Sequence, residues 1–439
     1  MSEANSAVYN DANKTPPMSE ALPLGLQHVL AMFASNVTPS IIVAGAAGLA
    51  FGGAEQVYLI QMAMLFAGVA TLFQTVGVGP IGARLPIMQG TSFAFVGVLA
   101  GIAATQGLSV ALTSCIIAGL VHFALGSIIV KIRSWFPPLV TGLVILAIGL
   151  YLIPVGIKYA AGGAADFQMA ADSFGSLQHW SVALTVIVVS LVVKFKTNGI
   201  LSNASILIGL VAGYILAYMF GMVSFGGVAK ASWITGLQVL PFGFEFNLGA
   251  VIGVILVSIV SAVETVGDVS ATTKAGAGRE ATDTEISGAT YADGLGTAVA
   301  GVFGGLPNTS FSQNVGIVSM TGVMSRHVVT IAGVIMLLCG LLPKVGAIIA
   351  SMPFPVLGGG VIVMFGMVAA AGMNVLSEVS MNRRNMIIIA ISLTIGLGLN
   401  LVPGAVQHLP GIWKTLATSA VAPTAFLAIV LNQILPDEA

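Results

Sequence analysis

The chain has 439 residues, of which 57% are hydrophobic and only 7% charged, with a formal net charge of −1. A soluble domain of that length at a mean hydropathy of +1.02 would expose a vast apolar surface, so a soluble globular protein is excluded and an integral membrane protein is indicated. The near-neutral charge offers no field for nucleic acid or an acidic partner.

In chain order, Met1–Glu20 are polar and contain no apolar core flanked by a cleavage site, so they are predicted to be a short disordered tail and not a signal peptide, and residues 1–23 are expected to form the cytoplasmic N-terminal tail. Apolar runs of roughly 17 to 25 residues, the length that crosses a hydrocarbon core, then recur as far as Leu435 and number about fourteen. The first four extend from Leu24–Gly45 to Leu108–Val130, and the next three from Leu139–Gly156 to Ile200–Met222. Four more extend from Leu248–Thr273 to Val328–Ala350, and the last three from Val356–Ala371 to Thr415–Leu435. The interruptions near Gly162–His179 and Phe225–Asn247 are loops, which leaves no room for a soluble domain. With the N terminus inside, eleven of the 15 Lys and Arg residues fall on the cytoplasmic side, the bias that marks that face. Both termini are therefore expected in the cytoplasm. Cys115 and Cys339 lie in apolar runs as small buried hydrophobes, and neither a disulfide nor a metal site is expected.

Two segments share a pattern. Leu85-Pro86 is followed by Thr91-Ser92-Phe93, and Leu306-Pro307 by Thr309-Ser310-Phe311. They fall in the third and tenth runs, the same place in two halves of seven, and an odd number of spans per half makes the second half inverted. Proline removes a backbone donor, and extended backbone at membrane depth survives only in a packed or water-lined interior. Matched breaks point to a midplane binding site, although Pro and Gly can also kink helices merely for packing.

Three carboxylates stand in apolar sequence: Glu264 and Asp268 in Gly249–Thr273, and Asp293 near the start of the next run. An ionised group in the bilayer core costs at least about 2.5 kcal/mol, so such residues face a cavity, a partner or a transported ion. No basic residue shares the span of Glu264, which argues against a structural ion pair. Glu264 and Asp268 lie one turn apart on one helix face, where like charges resist double ionisation. That suits coupling to a proton; the same oxygens could also hold sodium.

Gln313-Asn314-Val315-Gly316, continuing to Thr321-Gly322, resembles the signature of the nucleobase–ascorbate transporter family, and every fixed position is met. Gln27-His28 resembles that family's second motif, and Glu264 with Asp268 its acidic pair in the eighth span. The resemblance covers the whole chain in motif order. It implies an all-α membrane protein of fourteen spans in two inverted seven-span repeats, with broken third and tenth spans. It further implies a core domain (24–135 and 246–351) and a gate domain (136–223 and 352–435), homodimers through the gate, and co-transport of nucleobases with protons or sodium. By position, Glu264 matches the substrate-binding acid, Gln313 a second side-chain contact, and Phe95 a backbone and ring contact. His28, Asp268, Asp293 and Asn314 match supporting or coupling positions.

Oxidised purines present adjacent N–H and C=O groups on a rigid ring. A primary amide such as Gln313 can donate and accept in one plane, and an ionised Glu264 accepts from ring N–H groups with charge-assisted strength. Gln313 could instead satisfy broken backbone, and His28, like His122, could be a core histidine. Gln at 313 and Gly322 resemble the bacterial xanthine and urate branch, and small Ala94 resembles relatives that admit the extra oxygen of urate. The expectation is a bacterial inner-membrane symporter for urate or xanthine, with no cofactor, a proton as coupling ion and sodium less favoured. Uracil carriers and inorganic-anion carriers of similar fold are the alternatives; the acids argue against an anion site at half-helix N termini. No nucleophile, metal or acid–base triad supports an enzyme.

Overall fold

The computed structural model describes residues 11–163, 166–167, 169–234 and 236–436. Its helices are α1 (Met18–Ala46), α2 (Ala54–Val76), α3 (Val96–Gln106), α4 (Leu108–Leu125), α5 (Pro138–Ala160), α6 (Leu177–Lys196) and α7 (Ser205–Met219). There follow α8 (Leu248–Ala277), α9 (Asp283–Val302), α10 (Ser312–Thr321), α11 (Arg326–Gly340), α12 (Pro343–Ala350), α13 (Phe354–Ser377), α14 (Arg383–Leu401) and α15 (Val421–Ile434). Each predicted apolar run carries helix. Among the described residues eight helices are long and apolar enough to cross a membrane, or nine if α11 and α12, bent by 79°, form one span. The protein is an all-helical, multi-pass membrane protein.

The tail is shorter and better held than residues 1–23 suggested. Helix α1 starts at Met18, directly after Pro17, whose fixed φ and missing N–H suit a helix entrance. Before it, the Ala12 carbonyl accepts from Arg326 N–H at 3.0 Å and Ser325 Oγ donates to the Lys14 carbonyl at 2.6 Å. The first ten residues of the expected tail lie outside the described residues.

Helix α9 starts at a capping box, with Thr282 and Glu285 satisfying each other's backbone N–H, and Arg279 pairs with Glu285 at 2.5 Å. Asp293 therefore sits midway along α9 and not near its start, at the depth where its hydrogen-bond partners converge.

The main helix packings are α5 on α13, α4 on α9, α2 on α11 and α6 on α7. Small residues allow the α4–α9 approach: a Cβ at Gly294 would stand 2.1 Å from the Phe123 backbone nitrogen. In the buried interior lie two three-residue strands, β1 (Gln89–Thr91) and β2 (Asn308–Ser310). They pair antiparallel, Gln89 with Ser310, Gly90 with Thr309 and Thr91 with Asn308, so the extended backbone left by the two prolines satisfies itself. From α1, Asn36 Oδ1 accepts from Thr91 N–H at 2.8 Å, while its Nδ2 donates to the Ala63 carbonyl at 3.0 Å. Gly90 permits this strap, since a Cβ there would lie within 2.8 Å of Asn36 Oδ1.

Candidate functional site

Each strand runs into a helix that no side chain caps: β1 into a turn at Phe93–Phe95 and then α3, β2 into α10. Their first N–H groups stay available. One is taken from the side by α5, where Tyr151 Oη accepts from Gly97 N–H at 2.7 Å.

Beside these helix starts lies a cavity of about 670 Å³, inside the roughly 300 to 1,000 Å³ of small-molecule sites. Glu264 from α8, Gln313 from α10 and Ala94 line it, together with Ser92, Phe93 and Phe311. Neither the Glu264 carboxylate nor the Gln313 amide hydrogen-bonds another described residue. Both face the cavity, and both can pair with a ligand without first breaking a protein contact. The buried hydroxyl of Ser92 likewise has no partner.

Phe95 departs from expectation. It is only 1% exposed and does not line the cavity; the ring on the wall is Phe93, set by an edge contact to Phe365 on α13 at 5.4 Å. Residues two apart at the end of an extended stretch share a direction only while the strand persists, and the turn begins at Phe93. The repeated Thr-Ser-Phe already held the signal, since both of its phenylalanines, Phe93 and Phe311, line the wall.

The remaining acids are held by neutral donors. Asp268 accepts from Ser310 Oγ at 2.6 Å and Ser312 Oγ at 2.8 Å, which fastens α8 to the start of α10. Asp293 accepts from Gln89 Nε2 at 2.6 Å and Gln74 Nε2 at 3.0 Å, and from the Thr265 hydroxyl. Glu264 and Asp268, one turn apart, thus do different things: one meets the cavity, the other the backbone break. Gln74, Gln89, Thr265, Ser310 and Ser312 were missed, because each belongs to the set only through contacts between distant elements.

His28 and Asn314 meet as a clamp between α1 and α10. The Asn314 amide nitrogen lies 3.0 Å from both the carbonyl oxygen and Nδ1 of His28. Turning the amide over would set two oxygens together, so Nδ2 faces both. An amide nitrogen only donates, hence Nδ1 accepts and the ring is neutral with its proton on Nε2. His122 is placed elsewhere, its Nδ1 2.9 Å from Ser258 Oγ between α4 and α8.

Broken helices whose free N termini and unpartnered polar side chains surround a cavity, inside a many-spanning helical membrane protein, define a carrier fold. The chain belongs to the nucleobase–ascorbate transporter family: the family model described as "Permease family" (Xan_ur_permease) matches residues 19–405. It is similar to the xanthine permease of Bacillus subtilis (strain 168), 36% identical with 94% of this chain and 93% of the relative covered. It is equally similar to that organism's uric acid permease PucK, 36% identical over 94% and 95%. Xanthine permease XanP of Escherichia coli (strain K12) is 32% identical over 99% and 96%. Among solved structures, the transmembrane domain of a cyanobacterium bicarbonate transporter, BicA, superposes with a TM-score of 0.62 at 15% identity, covering 94% of this chain and 97% of that one. The murine Slc26a9 anion transporter in its inward-facing state gives 0.61 at 13%, covering 94% and 69%. These two share the fold alone.

Proposed function

We propose that the protein is a secondary carrier that imports oxidised purines, urate and xanthine, by proton symport across a bacterial inner membrane. The observation that carries this is the unpartnered pair Glu264 and Gln313 on one cavity beside two uncapped helix starts: an acceptor for ring N–H, an amide that donates and accepts, and free backbone donors for carbonyl oxygens. The names of the relatives above agree with such a substrate. Ala94 on the wall leaves space for the additional oxygen of urate.

The fold reading has its own support. Fourteen spans related by a two-fold, span n to span n+7, would turn the α4–α9 packing into α2–α11, pair α5 with α13 and set β1 against β2; the four contacts described above follow that rule. On this reading the core comprises residues 24–135 and 246–351, the gate 136–223 and 352–435. The core moves against the gate, two gates form the homodimer, and both termini are cytoplasmic.

Ligand-induced thermal shifts in detergent test the site. Wild type is expected to be stabilised by xanthine and urate, and Glu264→Ala to lose both shifts. Gln313→Glu should lose preference for urate, because a carboxylate cannot donate. A Glu264→Ala protein that keeps the wild-type shifts would overturn the assignment.

A further inference from the structure

The cavity opens to one side. Phe195 and Met320, exposed by 81% and 65%, stand at its mouth, and α6 returns from the loop after α5, so its last turn, which carries Phe195, lies level with the start of α5. From that end α5 lines the cavity with Ile145 and then Ile148. Tyr151, three residues further and next to Ile148 on the helix surface, is 8% exposed and no longer lines it. It stands where the cavity is closed toward the opposite face.

A buried tyrosine hydroxyl needs a polar partner, and this one finds it on another helix. Packed into the main apolar core, it accepts from the N–H of Gly97 in the first turn of α3 at 2.7 Å, and the ring lies so close that a Cβ at Gly97 would stand 2.9 Å from its Cε2 and Oη. Glycine is what lets the ring in. The backbones of α3 and α5 otherwise come close at few places, and α5 belongs to the proposed gate while α3 belongs to the proposed core. A second crossing, Ser35 Oγ to Met364 Sδ at 3.1 Å, lies on the cavity wall and ends on a thioether, a weak acceptor.

We propose that the Tyr151 hydroxyl is the catch of the seal on the far side of the cavity: bonded to Gly97, it ties gate to core while the cavity is open at its mouth, and the tie parts when the cavity opens to the opposite face. It rests on the proposed movement of the core against the gate. Tyr151 touches no substrate and acts as a positioning residue, through the start of α3. The bond is between neutral groups, so each partner can exchange it for a bond to water as the seal opens, at small net cost. Without the hydroxyl, the Gly97 N–H loses its acceptor in the sealed form, whereas water reaches it once the seal is open. The balance then moves toward the form open to the far side.

The test is the rate at which a membrane-impermeant maleimide modifies an Ala94→Cys variant, made together with Cys115→Ala and Cys339→Ala, in membrane vesicles of both orientations. The side from which modification is faster is the mouth side. Adding Tyr151→Phe, which keeps the ring, should raise modification from the far side about two- to tenfold, the size of one neutral hydrogen bond, and leave or lower modification from the mouth side. Gly97→Ala, which drives the ring away, should act in the same direction, and the two together should do little more than either. Faster modification from both sides by similar factors would mean general loosening and overturn the catch. No change from either side would overturn it too. Uptake reads the transport proposal separately: wild-type vesicles that accumulate neither xanthine nor urate would sink that reading, whatever the labelling of the variants.

Discussion

At the scale of single residues, the site separates groups that meet a ligand from groups that hold the wall in place. Ala94 lines the cavity and is proposed to belong with the first. Ala94→Asn adds an amide on the cavity wall and should reduce urate uptake more than xanthine uptake, since the larger ligand loses space while both keep the same edge contacts; equal losses would show that position 94 does not shape the cavity. Asn314 belongs with the second. Asn314→Ala leaves the buried His28 Nδ1 without its partner and removes the clamp between α1 and α10, which should cost about 1–3 kcal/mol and lower the melting temperature even without ligand. On the proposed proton symport the same geometry argues against His28 as the proton carrier, because a charged ring would present an N–H to the amide's own N–H. Nitrogen NMR of labelled histidine should find His28 neutral, protonated at Nε2, across the pH range in which transport works.

At the scale of elements, two three-residue strands and the helix starts behind them define the site, and their tolerance is narrow. Gly90→Ala would bring a Cβ to 2.6 Å from the Met32 methyl and the Phe311 ring and 2.8 Å from Asn36 Oδ1. Met32 can swing away, but Phe311 is packed and Asn36 is tied to Ala63 and Thr91. The expected cost is about 1–3 kcal/mol, seen as a lowered melting temperature with weakened purine binding. Much of this element pattern was legible in the sequence: Leu-Pro followed by Thr-Ser-Phe located both breaks, and the lone acids in apolar sequence located α8 and α9. What stayed hidden has a physical cause. Hydropathy cannot choose between Phe93 and Phe95, because only the onset of the turn decides which ring reaches the cavity. Gln74, Gln89 and Thr265 look like ordinary polar residues in a helix or a strand until the fold brings them to Asp293. The tail misled because its polarity was read as disorder, whereas its backbone bonds to residues 325–326.

At the scale of the whole molecule, coupling has to be sought where acids are buried together. Among the described residues, Asp268 and Asp293 are held by hydroxyl and amide donors and neither makes an ion pair. A carboxylate so placed can exchange its charge for a proton without stranding a buried positive partner. In vesicles with separately set gradients, uptake should collapse with a protonophore and persist without sodium. With Asp268→Asn or Asp293→Asn it should respond less steeply to pH even where binding survives. Accumulation driven by sodium alone would sink the proton reading and leave the proposed binding residues standing.

The pairing of β1 with β2 also bears on how the protein comes into being. The two strands stand more than two hundred residues apart in the chain, so a ribosome has delivered α1 to α7 long before the partner of Gln89–Thr91 exists. Until then the first strand's backbone has Asn36 of α1 for Thr91 N–H and the Thr71 hydroxyl of α2 for Gln89 N–H, and its other groups lack their strand partner at a depth where an unmet peptide group costs several kcal/mol. The strand pairing therefore cannot form until the chain has been made as far as Ser310, and the cavity beside it cannot be complete before then. Truncation anywhere before Asn308 removes half of that pairing and leaves a chain that can insert its helices but has no site to fill.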